Sequence, residues 1–338
     1  MHNQGPMSAQ VTSSTSTEAT DAVGEAAELR SLREGLGRKL PEIDPKYFYD
    51  ARGSELFEAI TGTPEYYPTR TEVSILRTYA DEIVQRCDAV ELAEFGSGAG
   101  LKIRLLLDAM TRARRLERVI LFDISREPLL RSMAELEEAY DGLSVRAIEG
   151  DFHHDVQSMG TGGQRLVLFF AGTIGNFTRP AATRFLADVR ATMAPSDAML
   201  LGVDLVKDKP VLDAAYNDAA GYTAAFNRNA LHVINQRFGA NFRPDAWQHI
   251  AFYDVDEARI EMRLRAAEDM HVAIPSAGIS RDFAAGDEIR TEISCKYTRT
   301  SLDAMLTGSG LALDAFYTDE HELFGLAMLR PADARRDD

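Results

Sequence analysis

Between residues 89 and 206 the chain alternates short apolar runs of β character with amphipathic helical stretches, and this alternation limits the possible folds more than any other feature. The β-type runs fall at 89–95, 118–124, 143–148, 166–171 and 198–206, and helical periodicity fills 101–113, 126–140, 152–159 and 181–193. Strands joined in succession by helices need crossover connections, which are right-handed and build a parallel sheet. The expected frame is a doubly wound α/β core.

The segment 207–296 breaks the pattern. Helical periodicity over 210–231 and 233–238 gives way to consecutive strand-like runs at 248–254, 259–266, 270–274 and 288–296. Such strands with short connections suggest an antiparallel sheet, hence an α+β lobe inserted in the first unit. A helix at 300–309 and two closing runs, 311–318 and 323–329, can add a hairpin to one edge of the main sheet. Upstream, helices are expected over 23–40, 55–61 and 69–87, while residues 1–22, rich in Ser, Thr, Gln and Ala, read as a mobile tail.

A glycine-rich turn, Glu94-Phe95-Gly96-Ser97-Gly98-Ala99-Gly100, sits where the first strand gives way to a helix. Glycines there let the backbone turn tightly and approach a ligand, and ligands of doubly wound sheets bind beyond the carboxyl ends of the strands. Asp123 ends the second strand, where a carboxylate can accept ribose hydroxyls. Asp151, followed by Phe152, ends the third, where an adenine amino group would lie; both acids could instead be helix caps. A dinucleotide fingerprint needs a further glycine where Leu101 stands. The Gly-x-Gly-x-Gly form, with an acid two places before it, fits S-adenosylmethionine better than NAD. Gly96, Ser97, Gly98, Asp123, Asp151 and Phe152 are the expected contacts. Gly172-Thr173-Ile174-Gly175-Asn176 ends the fourth strand and faces the same crevice, offering the donors and acceptor of the Asn176 amide to a small polar substrate.

Charge narrows the partners. With 53 acidic against 37 basic side chains the net charge is −16, a surface that repels phosphate backbones and anionic lipid. No apolar run approaches the ~20 residues that span a bilayer. Cys87 and Cys295 are too few for a disulfide framework, and neither they nor His153, His154 and His321 have metal-ligand spacing, so no metal is expected. Without a secretory signal, a cytoplasmic monomer acting on a small molecule is the default.

Several separate strings occur in one order: Tyr47-Phe48-Tyr49-Asp50-Ala51-Arg52-Gly53-Ser54-Glu55-Leu56-Phe57, Pro64-Glu65-Tyr66-Tyr67-Pro68-Thr69-Arg70-Thr71-Glu72, Gly172 to Asn176, Gly202-Val203-Asp204-Leu205-Val206-Lys207-Asp208, Ala225-Phe226-Asn227-Arg228-Asn229 and Thr291-Glu292-Ile293-Ser294-Cys295-Lys296. With them the chain, over about residues 30 to 331, resembles the ergothioneine-pathway L-histidine Nα-methyltransferases. The resemblance implies a Rossmann-like class I methyltransferase sheet, parallel with an antiparallel C-terminal hairpin. It divides the chain into a substrate-binding lobe (23–70 and 207–296), an S-adenosylmethionine domain (71–206 and 297–331) and a tail (332–338). It implies that Tyr66, Asn176 and Tyr216 hold the carboxylate and amino end of histidine, that Glu292 and Ser294 bind its imidazole beside Met262, and that Tyr49 lines the cleft near the amine. It adds Lys102 to the cofactor contacts. Ala99-Gly100-Leu101 departs from the more polar sequence of many relatives there.

The implied reaction is Nα-methylation of free histidine, three times over, giving the trimethylated betaine hercynine. Methyl transfer moves one positive charge from sulfur to nitrogen, so positioning is the main contribution and no dedicated base is identified. Alternation puts Glu292 and Ser294 on one face of their strand, where two hydrogen-bonding groups can converge on one ring. Two alternatives stay open: methylation of another free aromatic amino acid, tyrosine or tryptophan, and a catalytically silent S-adenosylmethionine-binding protein.

Overall fold

The computed structural model describes residues 17–334 apart from 97–99 and 153. In chain order, α1 (Thr17–Leu36), α2 (Ala51–Thr61) and α3 (Pro68–Cys87) lead into β1 (Glu91–Phe95), α4 (Leu101–Arg112), β2 (Arg118–Asp123), α5 (Arg126–Ala139), β3 (Ser144–Glu149), β4 (Arg165–Phe169), α6 (Arg179–Thr192) and β5 (Ala198–Asp204). Then come α7 (Lys209–Ala215), α8 (Tyr222–Phe238), β6 (Trp247–Asp254), β7 (Arg259–Ala266), β8 (Met270–Ile274), β9 (Ile279–Phe283) and β10 (Glu288–Cys295), and the chain closes through α9 (Arg299–Leu306), β11 (Leu311–Thr318) and β12 (Phe324–Pro331).

The main sheet runs β11-β12-β5-β4-β1-β2-β3. Strands β1 to β5 pair in parallel, and β12 pairs antiparallel with both β5 and β11, so the closing hairpin does extend the edge. All five residues of β1 and all seven of β5 are buried, as expected for strands covered on both faces. Leu92, Leu121, Leu168 and Leu200 face one apolar core, and Ala93, Phe122, Val167 and Leu201 face the other. A third core joins Phe48 and Leu56 to Phe226, Trp247 and Leu264 beside the antiparallel sheet β10-β7-β6. An α/β sheet with an inserted α+β unit is therefore what the chain forms.

Local differences have local causes. The first helix spans Thr17–Leu36 rather than 23–40, so residues 17–22, expected in a tail, are helical; Glu18, Ala19 and Ala22 are good helix formers. It stops ahead of Gly37, whose N–H is accepted by the Arg33 carbonyl at 3.0 Å. The helix expected at 210–231 is two helices, because Gly221 adopts φ 77° and Asp218 accepts the N–H groups of Tyr222 and Thr223 to start α8 afresh. That second helix then runs unbroken through residue 232 to Phe238. The stretch 152–159 forms only a 3-10 turn at Val156–Met159. Strand β9 was not expected: with Arg281 and Asp282 in five residues it pairs only with β8 and has little apolar alternation. Expectations for 1–16 and 335–338 lie outside the described residues, while 332–334 form a 3-10 turn. No helix among the described residues is long and apolar enough to cross a membrane.

Candidate active site

Beyond β1 the chain turns at Gly96 with φ 75°, where its N–H donates to the Phe122 carbonyl at 2.8 Å. A Cβ at Gly96 would meet no atom of the described residues within 4 Å, so on that side the turn is open. Ser97 and Gly98, expected to hold the cofactor, and Ala99 lie outside the described residues. Beneath the turn Glu94 is buried, and its Oε2 has no hydrogen-bond partner among the described residues. Burial pushes its carboxyl up to about 8; Lys102 opposes this, and Asp123 and Glu72 add to it. A buried carboxylate oxygen without a donor, under an open glycine turn, fits a ligand that carries an ammonium group, as S-adenosylmethionine does.

Lys102 is drawn to the same place by an ion pair with Glu72 of α3, whose side chain is fully buried. The Glu72 carboxylate also accepts the Ala171 N–H, at 2.9 and 3.1 Å. Ala171 stands at φ 62° and Gly172 at φ 66°, and a left-handed alanine persists only where its surroundings hold it. Glu72 therefore ties Lys102, just beyond the glycine turn, to the loop that carries Asn176. At the end of β2, Asp123 accepts the Ser125 N–H at 2.8 Å. The Asp151 N–H donates to Asp155 Oδ2 at 2.9 Å. Phe152 packs edge-on against Phe95 and Phe169. Leu101 and Ile124 are both 50% exposed, next to Gly100 and Asp123, apolar surface that sequence reasoning did not assign to the crevice.

The residues expected to hold the substrate converge. Tyr49, Tyr66, Asn176, Tyr216, Met262, Glu292 and Ser294 all line one open cleft, which Phe57, Ile60 and Phe226 line with apolar surface. Asn176 ends a 3-10 turn, Thr173–Asn176, and Gly175 within it lets β10 come close: a Cβ there would stand 2.9 Å from the Cys295 carbonyl oxygen. Glu292 pairs with Met262 across β7 and β10, and Ser294 pairs with Ile260, so Glu292 and Ser294 share a face. Thr291 lies at the register shift between Arg290 and Glu292 and donates to Asn227 Oδ1 at 2.6 Å. Burial raises the Glu292 carboxyl to about 7, against the pull of Lys296 and a hydrogen bond from Asn176. Burial likewise holds the Tyr66 hydroxyl well above its ordinary value, with Tyr216 adding to the effect, so Tyr66 stays a neutral phenol. Tyr49 stands at the mouth, its ring edge-on to Phe57 and Phe226.

Beneath the cleft lies a polar cluster that sequence reasoning quoted without giving it a role. Asp204 accepts from Tyr67, Lys207 and Lys296, and Lys296 also reaches Tyr216 and Ser294. A lysine among Cys295, Tyr297 and Ile293 was the available signal, since a charge in such a run needs a buried partner; which carboxylate supplies it depends on the fold.

Residues 28–331 match the family described as histidine-specific methyltransferase, SAM-dependent. The histidine N-alpha-methyltransferase of Mycolicibacterium smegmatis is 45% identical over 310 residues, which cover 92% of this chain and 96% of that protein. Its namesake from Mycobacterium tuberculosis is 42% identical over 305 residues, 90% of this chain and 95% of that one. Ergothioneine biosynthesis protein 1 of Neurospora crassa is 30% identical over 300 residues, 86% of this chain but 33% of that protein.

Proposed function

The chain belongs to the histidine-specific, S-adenosylmethionine-dependent methyltransferases, and from that premise we propose that it methylates the α-amine of free L-histidine three times, giving hercynine for ergothioneine synthesis. The observation that carries the reading is the cleft: a carboxylate, Glu292, and a hydroxyl, Ser294, share one strand face and line the same cleft as Asn176 and Tyr66, so groups suited to a ring and to an amino-acid end meet in one place.

S-adenosylmethionine supplies an electrophilic methyl group; in each transfer an N–C bond forms as the S–C bond breaks, and the positive charge passes to nitrogen. The protein's part is placement. Glu94 would receive the cofactor's ammonium, Gly96 with Ser97 and Gly98 its amino-acid end, and Asp123, Asp151 and Phe152 its nucleoside. Lys102 would act from the base of the turn through Glu72. Asn176 and Tyr66 would fix the substrate's carboxylate, and Tyr216, whose proton goes to Ser294, would accept from the amine. Because Tyr66 stays protonated, its oxygen can accept an amine N–H but cannot remove the proton, which leaves through the open mouth past Tyr49. The rings of Tyr49, Phe57, Tyr66 and Phe226 favour the cation that accumulates on nitrogen. In this division of labour 23–70 and 207–296 serve the substrate, and 71–206 and 297–331 serve the cofactor.

Selectivity comes from Glu292, which accepts a ring N–H. An amino acid whose ring presents no N–H at that point, as the phenol of tyrosine or the larger indole of tryptophan, would leave a buried carboxylate unpaired, at about 1–3 kcal/mol. The test is a panel of free amino acids with S-adenosylmethionine. Turnover of histidine far above tyrosine and tryptophan is expected; preference for either of those, or no S-adenosylhomocysteine formed with any amino acid, overturns the reading.

A further inference from the structure

Lys296 is completely buried. Its ammonium stands 2.7 Å from Asp204 Oδ2, 3.0 Å from the Tyr216 hydroxyl and 2.9 Å from Ser294 Oγ, so its three protons have three acceptors. Tyr216 in turn donates to Ser294 Oγ at 2.9 Å. Ser294 therefore accepts two hydrogen bonds, from Lys296 and from Tyr216, and a hydroxyl has only two lone pairs to offer. What it has left is its proton. Facing it in the same cleft, Glu292 in its ionised form has only lone pairs.

We propose that Lys296 is a positioning residue for substrate selection: anchored on Asp204, it fixes the direction of the Lys296–Tyr216–Ser294 hydrogen bonds so that Ser294 must donate to the ring nitrogen opposite the one whose N–H Glu292 accepts. The pocket then fits a ring with one N–H and one bare nitrogen, the neutral imidazole. A phenol or an indole has no second ring nitrogen to accept from Ser294, and an imidazolium presents a proton where Ser294 already presents one. Lys296 does not reach the substrate in this arrangement; it acts through the two hydroxyls. The inference rests on histidine being the substrate.

The test compares L-histidine with the two pyrrolylalanine isomers, each of which keeps one ring N–H and replaces the other nitrogen by C–H. Binding is measured by calorimetry in the presence of S-adenosylhomocysteine. The unsubstituted protein should bind histidine about tenfold or more tighter than the better pyrrole, the worth of one hydrogen bond to a buried group. In Lys296→Met that ratio should collapse toward one while affinity for S-adenosylhomocysteine stays within about twofold. Equal weakening of histidine and pyrrole would make Lys296 merely structural and overturn the inference. An independent readout needs no variant and so survives a failure of Lys296→Met to fold: nitrogen NMR of ring-labelled histidine bound to the unsubstituted protein should give one protonated and one hydrogen-bond-accepting nitrogen. Two protonated nitrogens overturn the inference alone, whereas no histidine binding at all overturns the substrate reading beneath it.

Discussion

The Tyr67 hydroxyl donates to both carboxylate oxygens of Asp204, at 2.8 and 3.0 Å, and so joins the segment that enters α3 to the end of β5. Lys207, where the chain leaves the main sheet, and Lys296, where it returns, bind the same carboxylate. Burial opposes the charge on Asp204, yet the two lysines hold its carboxyl below the usual range. All three connections between the proposed lobes thus meet at one side chain. Asp204→Ala leaves two buried ammonium groups without their anion and should destabilise the protein by about 3–5 kcal/mol. Tyr67→Phe removes the hydroxyl that donates to Asp204 and accepts from Lys207, and should cost about 1.5–3 kcal/mol. Denaturant unfolding of the two variants measures both.

Glu292→Ala deletes the acceptor for the ring N–H without touching the glycine turn. Histidine turnover should fall roughly 10- to 150-fold, the worth of a hydrogen bond to a charged group. Affinity for S-adenosylhomocysteine should not change. Steady-state kinetics with histidine and calorimetry with the cofactor product separate the two; a parallel loss of cofactor affinity would make Glu292 a structural residue.

The sheet was legible because its strands are continuous apolar runs separated by helical periodicity, and β1 and β5 are buried along their whole length. The break at Tyr216 to Gly221 was not legible, because it depends on one left-handed glycine and an Asp218 cap inside an otherwise helical pattern. Of the site, Glu292 and Ser294 could be placed on one face by alternation alone, and the resemblance supplied Tyr66, Asn176, Tyr216 and Met262. For Lys296 the sequence showed only a charge within an apolar run, and for Glu72 it showed nothing. Each is a charged residue whose partners are distant in sequence, Asp204 for one and Ala171 with Lys102 for the other, and only folding brings those together.

Glu94 should change its proton on binding the cofactor. Burial raises its carboxyl to about 8 in the free protein, so at pH 7 it is mostly protonated; an ammonium beside it favours the carboxylate. Binding of S-adenosylhomocysteine at pH 7 should therefore release most of a proton, seen by calorimetry in buffers of different ionisation enthalpy, and Glu94→Gln should abolish that release. The linkage to stability has a definite sign. A carboxyl raised on folding contributes stability fully present below its unfolded value, about 4.3, and lost as pH rises through about 8. Without ligand, the melting temperature of Glu94→Gln should gain on that of the unsubstituted protein between pH 6 and pH 8.

Gly175 sets the approach of β10 to the loop that carries Asn176. A methyl group there would stand 2.9 Å from the Cys295 carbonyl oxygen, 3.1 Å from its amide nitrogen and 3.2 Å from Ser294 Oγ, so the strand must retreat. Gly175→Ala should destabilise the protein by about 1–3 kcal/mol and raise the KM for histidine by pulling Glu292 and Ser294 away from Asn176. Because Glu94 and Gly96 lie on another strand end, the KM for S-adenosylmethionine should be unaffected. A change confined to the cofactor's KM would count against this arrangement.

The number of transfers follows from what the cleft offers the product amine. Each methyl group added replaces an N–H, so hydrogen bonding to Asn176 and Tyr66 weakens while the attraction of aromatic faces for a cation persists. Tyr49, Phe57, Tyr66 and Phe226 surround the cleft, and its mouth beside the 43%-exposed Tyr49 lets protons reach water between transfers. Monomethyl and dimethyl histidine should therefore be substrates in their own right, and mass spectrometry of a reaction with excess S-adenosylmethionine should end on the trimethyl product. Phe226→Ala should shift the mixture toward the monomethyl and dimethyl species by removing a face that holds the cation. Accumulation of monomethylhistidine as the end product of the unsubstituted protein would show that the rings do not hold the more substituted amines for further transfer.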